Sequence, residues 1–248
     1  MSEYIKIDRE IYPACKLPSN LDTTVWRYMD IRKFYSLLDR KSLYLCRADL
    51  LQDRFEGTYS RHQILEMEDW FKKIGKPDLS KTERKRREQD RLKTYICCWC
   101  ISDYDLDLMW KGYIGNFHGV AIKSSIRKLI QLCDNAINMW PLDISTVQYF
   151  DHADGEPINY FGTPQQFLYK DHHFRLDNEL RIIYHPNIAN PSPDHFFLPA
   201  DLKNLIEEVV FQPQSTKNDL KLVRKALDDV GLTTIPILTS RDDREFIA

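Results

Sequence analysis

A chain of 248 residues with 43% hydrophobic and 29% charged side chains can bury a core, which excludes global disorder. Its formal net charge of −2 excludes a chain that wraps nucleic acid as a whole, while leaving room for a local basic patch. No run of about 18 apolar residues occurs and the opening MSEYIKIDRE has no apolar signal core, so a cytoplasmic chain without membrane contact is expected.

Residues 1–20 read as an irregular lead-in with Pro13 and Pro18. A short strand is predicted from Thr24 to Met29, and Asp30 then stands where a helix N-cap belongs. Ile31, Phe34, Leu37 and Leu38 recur at helical spacing, and Leu43 to Arg47 returns to extended structure. A loop with one helical turn follows, then a strongly helical stretch from Ser60 to about Leu92. Within it, KTERKRREQDRLK (81–93) is a basic run with two readings. It is a solvated helix laced with local charge pairs, or a phosphate-binding surface for nucleic acid, although no aromatic residue interrupts it to stack a base.

Thr94 to Ile101 reads as a buried strand, Asp105 to Tyr113 as a helix, and His118 to Lys123 as a strand. A helix through Ile126 and Cys133 follows, then a strand from Ser145 to Phe150 and a polar loop over 151–163. Pro164 opens a helix to about Lys170. Prolines at 186, 191, 193 and 199 mark a loop. A strand (Ile206–Phe211), a helix (Asn218–Val230) and a last strand (Thr233–Leu238) complete the chain. Several strands follow one another without room for a helical crossover. That predicts an α+β fold with mixed, mostly antiparallel sheets and flanking helices. No repeat or boundary divides the chain, so 1–248 is expected to form one domain, with 58–93 as a helical insertion.

Six cysteines occur, at Cys15, Cys46, Cys97, Cys98, Cys100 and Cys133. Cys97 and Cys100 form a C-x-x-C, but its neighbours are apolar and no second pair lies at zinc-ribbon spacing, so buried free thiols are expected. In FRLDNELRIIY (174–184), Asp177, Glu179 and Arg181 are spaced by two. In one strand they share a face, with Leu180 and Ile182 on the other. Two acids and a guanidinium on one face could hold a polar ligand, or could be a solvated face of weak ion pairs. His172 and His173, adjacent in an extended segment, would point opposite ways, so no metal is expected there.

Taken in order, WRYMD (26–30), LYLCRADL (43–50), DRFEG (53–57), CISDYDLDLMWKGYIGNFHGVAIK (100–123), FRLDNELRIIY and EEVVFQP (207–213) resemble a bacterial domain-of-unknown-function family, number 2971. The resemblance covers about residues 24–240 and rests on motif order. Arg54 stands where proline is usual, and Asp177 replaces the first acid of the usual Glu-x-Glu. The layout is more distantly similar to ADP-ribosyltransferases, with an ADP-ribosyltransferase-like core. This implies NAD as substrate, with Arg27, Ser102 and Glu179 at the early, middle and late strand positions. On that likeness Arg27 and Arg47 would grip phosphate or ribose, and Tyr28, Trp110 or Tyr113 would stack on a base. Glu179 would stabilise charge on the ribose, and Asp177 would position or deprotonate the acceptor.

Each residue also has a plainer role. Arg27 pairs with an acid, Trp110 and Tyr113 pack a core, and Ser102 caps a turn. The implied function is a toxin or anti-phage effector that modifies nucleic acid, protein or water, with an antitoxin or other protein as partner. Two other functions fit the residues: a non-catalytic nucleotide-sensing module, or a nuclease-like enzyme holding Mg²⁺ with Asp53, Glu56, Asp177 and Glu179.

Overall fold

The computed structural model describes residues 16–53, 55–114, 118–136, 138–153, 165–186, 193–213 and 215–240. β1 (Thr24–Asp30) leads directly into α1 (Ile31–Arg40). The carboxylate of Asp30 accepts from Arg32 N and Lys33 N at 3.0 and 3.1 Å, satisfying donors the first turn leaves open. Phe34, Leu37 and Leu38 are buried on one helix face, and Lys41 in left-handed backbone (φ 48°) ends the helix before β2 (Ser42–Arg47). A 3₁₀ turn at Ala48–Leu50 follows. Ser60 and Gln63 cap each other reciprocally to start α2 (Arg61–Lys73), and α3 (Leu79–Arg91) carries no buried residue.

β3 (Tyr95–Ile101) is buried on both faces, as its apolar run predicts. The helical segment after it is one α-turn, α4 (Asp107–Met109), that widens into a π-helical turn over Trp110–Ile114. β4 (Gly119–Ser125) feeds α5 (Ile126–Ala136). Three short strands then occur: β5 (Leu142–Thr146), β6 (Gln148–Phe150) and β7 (Tyr169–Asp171). A 3₁₀ turn at Gln165–Leu168 stands where a longer helix is expected; Pro164 lies outside the described residues, as do residues 1–15, Arg54 and most of the 151–163 loop. β8 (Glu179–Tyr184), β9 (His195–Pro199), α6 (Leu202–Leu205), β10 (Glu208–Phe211), α7 (Lys217–Asp229) and β11 (Ile237–Thr239) complete the order. β9 forms inside the proline-marked stretch.

The chain divides into two compact units. One comprises 18–44, 98–135 and 197–248. In it β10 pairs with β11 in parallel and with β4 antiparallel, β4 pairs antiparallel with β1 along its whole length, and β1 pairs antiparallel with the end of β3. Trp26, Tyr28, Cys100, Met109, Trp110, Ile114, Ala121 and Val210 form a core cluster there. The other unit comprises 1–17, 45–97 and 136–196. Its β3 residues pair with the end of β2 and with β8, β8 pairs antiparallel with β5, and β6 and β7 pair in parallel. The architecture is α+β, with mixed, mostly antiparallel strand pairing. Cys97, Cys100 and Cys133 are buried and, with Cys46 and Cys98, free of disulfides; Cys15 lies outside the described residues.

Two expectations about the 172–184 stretch are corrected. His172–Asp177 is a 3₁₀ turn, so Asp177 does not share a strand face with Glu179, and His172 and His173 do not point to opposite faces of a strand. β8 has no solvated face over its first five residues: Glu179 and Arg181 are 2% and 1% exposed, as deeply buried as Leu180 and Ile182.

Candidate functional site

The start of β8 organises the densest charge cluster among the described residues. Asn178, in left-handed backbone (φ 41°), turns the chain out of the 3₁₀ segment, a conformation that asparagine tolerates better than most residues. Glu179 and Arg181 then lie on the same side of the strand, and Arg181 Nε donates to Glu179 Oε2 at 2.7 Å. The guanidinium forks onto both oxygens of Glu56 at 2.7 and 2.9 Å and also donates to Phe167 O at 2.6 Å. Lys170 Nζ, on β7, donates to Glu179 Oε1 at 2.6 Å and to Asp177 Oδ2 at 2.8 Å. Tyr149 Oη accepts from Glu179 N at 2.9 Å, fixing the backbone under the carboxylate.

Glu56 reaches Arg181 because Gly57 follows it. Gly57 adopts φ +68°, and a Cβ there would stand 2.3 Å from the Phe167 ring, so the loop comes this close only with glycine. Asp53, 4% exposed, holds Phe55 N with Oδ1, while Oδ2 has no hydrogen-bond partner among the described residues.

Three carboxyls (Glu56, Asp177, Glu179) thus meet two fixed cations (Lys170, Arg181), leaving one negative charge in excess. Burial pushes the Glu179 carboxyl up, but the pull of Arg181 and Lys170 outweighs it and brings the group down to about 2. Burial dominates at Glu56 and raises it against the pull of Arg181. Asp177 is also raised by burial, only partly offset by Lys170, and the charge on Glu179 adds to the rise. Burial works against the Lys170 ammonium, yet its acidic partners hold it above its usual value. The arrangement can keep Glu179 as a fixed anion while offering a second carboxyl that takes a proton more readily.

Arg47 belongs to the same unit but is engaged elsewhere. Its Nε donates to Asp49 at 2.6 Å and Nη1 pairs with Asp194 at 2.9 Å. On α3, Arg86 is clamped between Glu83 and Asp90, and Arg87 lies 4.2 Å from the Tyr59 ring centroid; Lys81, Arg84 and Lys85 are exposed. Part of the basic run is therefore committed to local pairs.

The remaining residues implied by the family likeness lie on the other unit. Arg27 Nη2 donates to Tyr44 O at 2.5 Å, with its guanidinium 6.0 Å from the Trp99 ring centroid. Tyr28 and Trp110 meet edge to face at 4.8 Å within the core, and the Tyr28 hydroxyl accepts from Leu106 N at 2.8 Å. Trp110 is 4% exposed and Tyr113 is 47% exposed. The Ser102 hydroxyl accepts from Tyr104 N at 3.2 Å, and its carbonyl accepts from Trp26 Nε1 at 2.9 Å.

Sequence spacing finds Glu179 and Arg181 but misses Lys170, Tyr149 and the pairing role of Glu56. Lys170 falls on a three-residue strand that reads as a helix end, and its partners lie seven and nine residues away, a spacing that marks no regular element. Glu56 is 125 residues from Arg181, a separation no local pattern can bridge.

No family model and no curated protein matches the chain. Family 2971 therefore stays a resemblance of ordered motifs. Among solved structures the chain is similar to one described as Thermus sp. 2.9 DarT in complex with NAD+. The two are 12% identical, the match covers 93% of this chain and 100% of that one, and the TM-score is 0.40.

Proposed function

We propose that the chain is an NAD-dependent ADP-ribosyltransferase-like enzyme in which Glu179 is the carboxylate that stabilises positive charge on the ribose as nicotinamide leaves. The observation that carries this reading is a buried carboxylate, Glu179, held by Lys170 at 2.6 Å and Arg181 at 2.7 Å inside a cluster of three carboxyls and two cations. The nicotinamide ring of NAD is cationic, and its departure leaves an oxocarbenium-like centre. A fixed anion in a low-dielectric surrounding acts on such a charge far more strongly than one in water. Asp177, raised by burial and partly exposed, is the proton acceptor for the incoming hydroxyl. Because both Glu179 oxygens are engaged, Lys170 must release Oε1 to a ribose hydroxyl when substrate binds. Of the ligand-binding roles that the family likeness implies, those of Arg27, Ser102 and Tyr113 are each to be tested by substitution, whereas Tyr28 and Trp110 pack the core and Arg47 is held by Asp49 and Asp194. The exposed Lys81, Arg84 and Lys85 of α3 favour nucleic acid as the acceptor.

A nucleotide-sensing module without turnover is the second reading, favoured by the 2% exposure of Glu179. The nuclease-like reading is the weaker one, because Arg181 and Lys170 already occupy oxygens of Glu56, Asp177 and Glu179, and Mg²⁺ would have to displace them. Incubating purified protein with NAD, alone and with DNA, RNA or a protein lysate, separates these readings. Nicotinamide release with a mass shift on one acceptor is the expected result. A rise in melting temperature with NAD but no release supports the sensor. Neither response overturns both.

A further inference from the structure

Away from Glu179 but in the same unit, a second constellation surrounds Asp171, the last residue of β7. The Asp171 carboxylate accepts from His173 N at 3.0 Å, which draws the 3₁₀ turn tight and brings two consecutive imidazoles to one side. The His172 and His173 rings lie 4.2 Å apart, and the Nδ1 atoms of both face Asp171 Oδ1. His172 Nδ1 is 3.6 Å from that oxygen, and His173 Nδ1 is in direct hydrogen-bond contact with it. One ligand atom from each of the three residues lies within 4.8 Å of the others, the only such group of three among the described residues.

On the far side of the same carboxylate, His152 Nδ1 stands 3.3 Å from Asp171 Oδ2. His152 is 6% exposed, stacks on Phe55, and neither of its ring nitrogens makes a hydrogen bond among the described residues. His172 Nδ1, shielded from solvent, also lacks one. Three imidazoles thus converge on one carboxylate, and three of their ring nitrogens (both of His152 and Nδ1 of His172) are buried without a hydrogen bond among the described residues, an unmet need that a cation bound at Asp171 would answer in part.

We propose that Asp171, His172 and His173 form a site for a divalent transition metal of the zinc class, with His152 positioning the carboxylate from behind. Bond lengths near 2 Å to nitrogen and oxygen place neighbouring ligands of a tetrahedral ion about 3.3 Å apart. The 3.6 Å separation of His172 Nδ1 and Asp171 Oδ1 is close to that edge. The metal takes the place of the proton between His173 Nδ1 and Asp171 Oδ1, so that both histidines ligate through Nδ1 as neutral Nε2–H tautomers. Three protein ligands leave a fourth position for water or a ligand, the pattern of an open rather than a closed zinc site. His172 and His173 are 38% and 78% exposed in their side chains, which gives the ion an entry path.

The test is titration of the chelator-treated full chain with Co²⁺, followed by Zn²⁺ competition. The expected result is one Co²⁺ per chain, with visible absorption bands and no strong thiolate-to-cobalt band in the near ultraviolet. The His172→Ala/His173→Ala double variant should bind about tenfold or more weakly at an unchanged metal-free melting temperature. Equal binding by the double variant, an intense thiolate band or no saturable uptake overturns the proposal. X-ray absorption of the zinc-loaded wild type is a check that needs no variant, and sulfur in the first shell would contradict the assignment.

Discussion

Arg181 holds two carboxylates with a single guanidinium, and it is buried as deeply as any aliphatic residue around it. Removing one member of such a group leaves charge without a counterpart, which costs far more than deleting a surface pair. Arg181→Met should therefore lower stability by about 3–5 kcal/mol, read as a shift of the urea midpoint at pH 7. A loss no larger than that of an exposed ion pair would mean that water or a proton already neutralises Glu56 and Glu179. Two of the acids and the arginine of this cluster are legible as an alternating D-x-E-x-R, whereas Glu56 is not. The alternation misassigns Asp177, because Asn178 breaks the extended chain one residue before Glu179. Asp177 nevertheless rejoins the group through Lys170, a contact that depends on where β7 packs. Arg47 shows the converse: a basic residue at a strand end whose guanidinium pairs with Asp49 and Asp194.

Elements in this chain form where local chemistry and burial agree, and two of them carry a visible cost. Asp143 lies opposite Ile183 in the β5–β8 ladder, and burial without a compensating cation raises its carboxyl to about 6. Its folded-state value thus exceeds the unfolded one, so the folded state is penalised above pH 6 and the penalty disappears below the unfolded value near 4. Asp143→Asn should accordingly stabilise the protein at pH 7, by on the order of 1–3 kcal/mol, with the gain fading as pH falls towards 4. A melting-temperature difference that is flat with pH would contradict this. Gly57→Ala meets both a left-handed backbone and the Phe167 ring, and should cost about 2 kcal/mol or more in chemical denaturation. A neutral outcome would show that the Glu56 loop can move aside.

Asp30 announces a cap whose hydrogen bonds are present, and the helical stretch read from Ser60 begins there because Ser60 and Gln63 cap each other. The 3₁₀ and π-helical turns were the least legible, because residues such as Trp110 and His172 fit several backbone periods and tertiary packing selects among them.

At the scale of the whole molecule, the α+β class follows from strands too closely spaced for helical crossovers, and antiparallel pairs such as β1–β4 and β5–β8 bear that out. The division into two units leaves little compositional trace. Three of its five chain crossings, at Tyr44–Leu45, Cys97–Cys98 and Phe196–Phe197, fall within β2, β3 and β9, where apolar strand residues stand instead of a polar linker. Candidate residues divide with it: Glu179, Asp177 and Arg47 belong to one unit, and Arg27, Tyr28, Ser102, Trp110 and Tyr113 to the other.

The account turns on Glu179 as a buried carboxylate acting on NAD, and nicotinamide release by wild type and Glu179→Gln tests it most directly. Both proteins would be assayed at matched concentration after circular dichroism shows each folded at the assay temperature. The account predicts release by the wild type and at least a hundredfold slower release by Glu179→Gln. Equal rates from two folded proteins would contradict it, leaving Glu179 as a structural partner of Lys170 and Arg181.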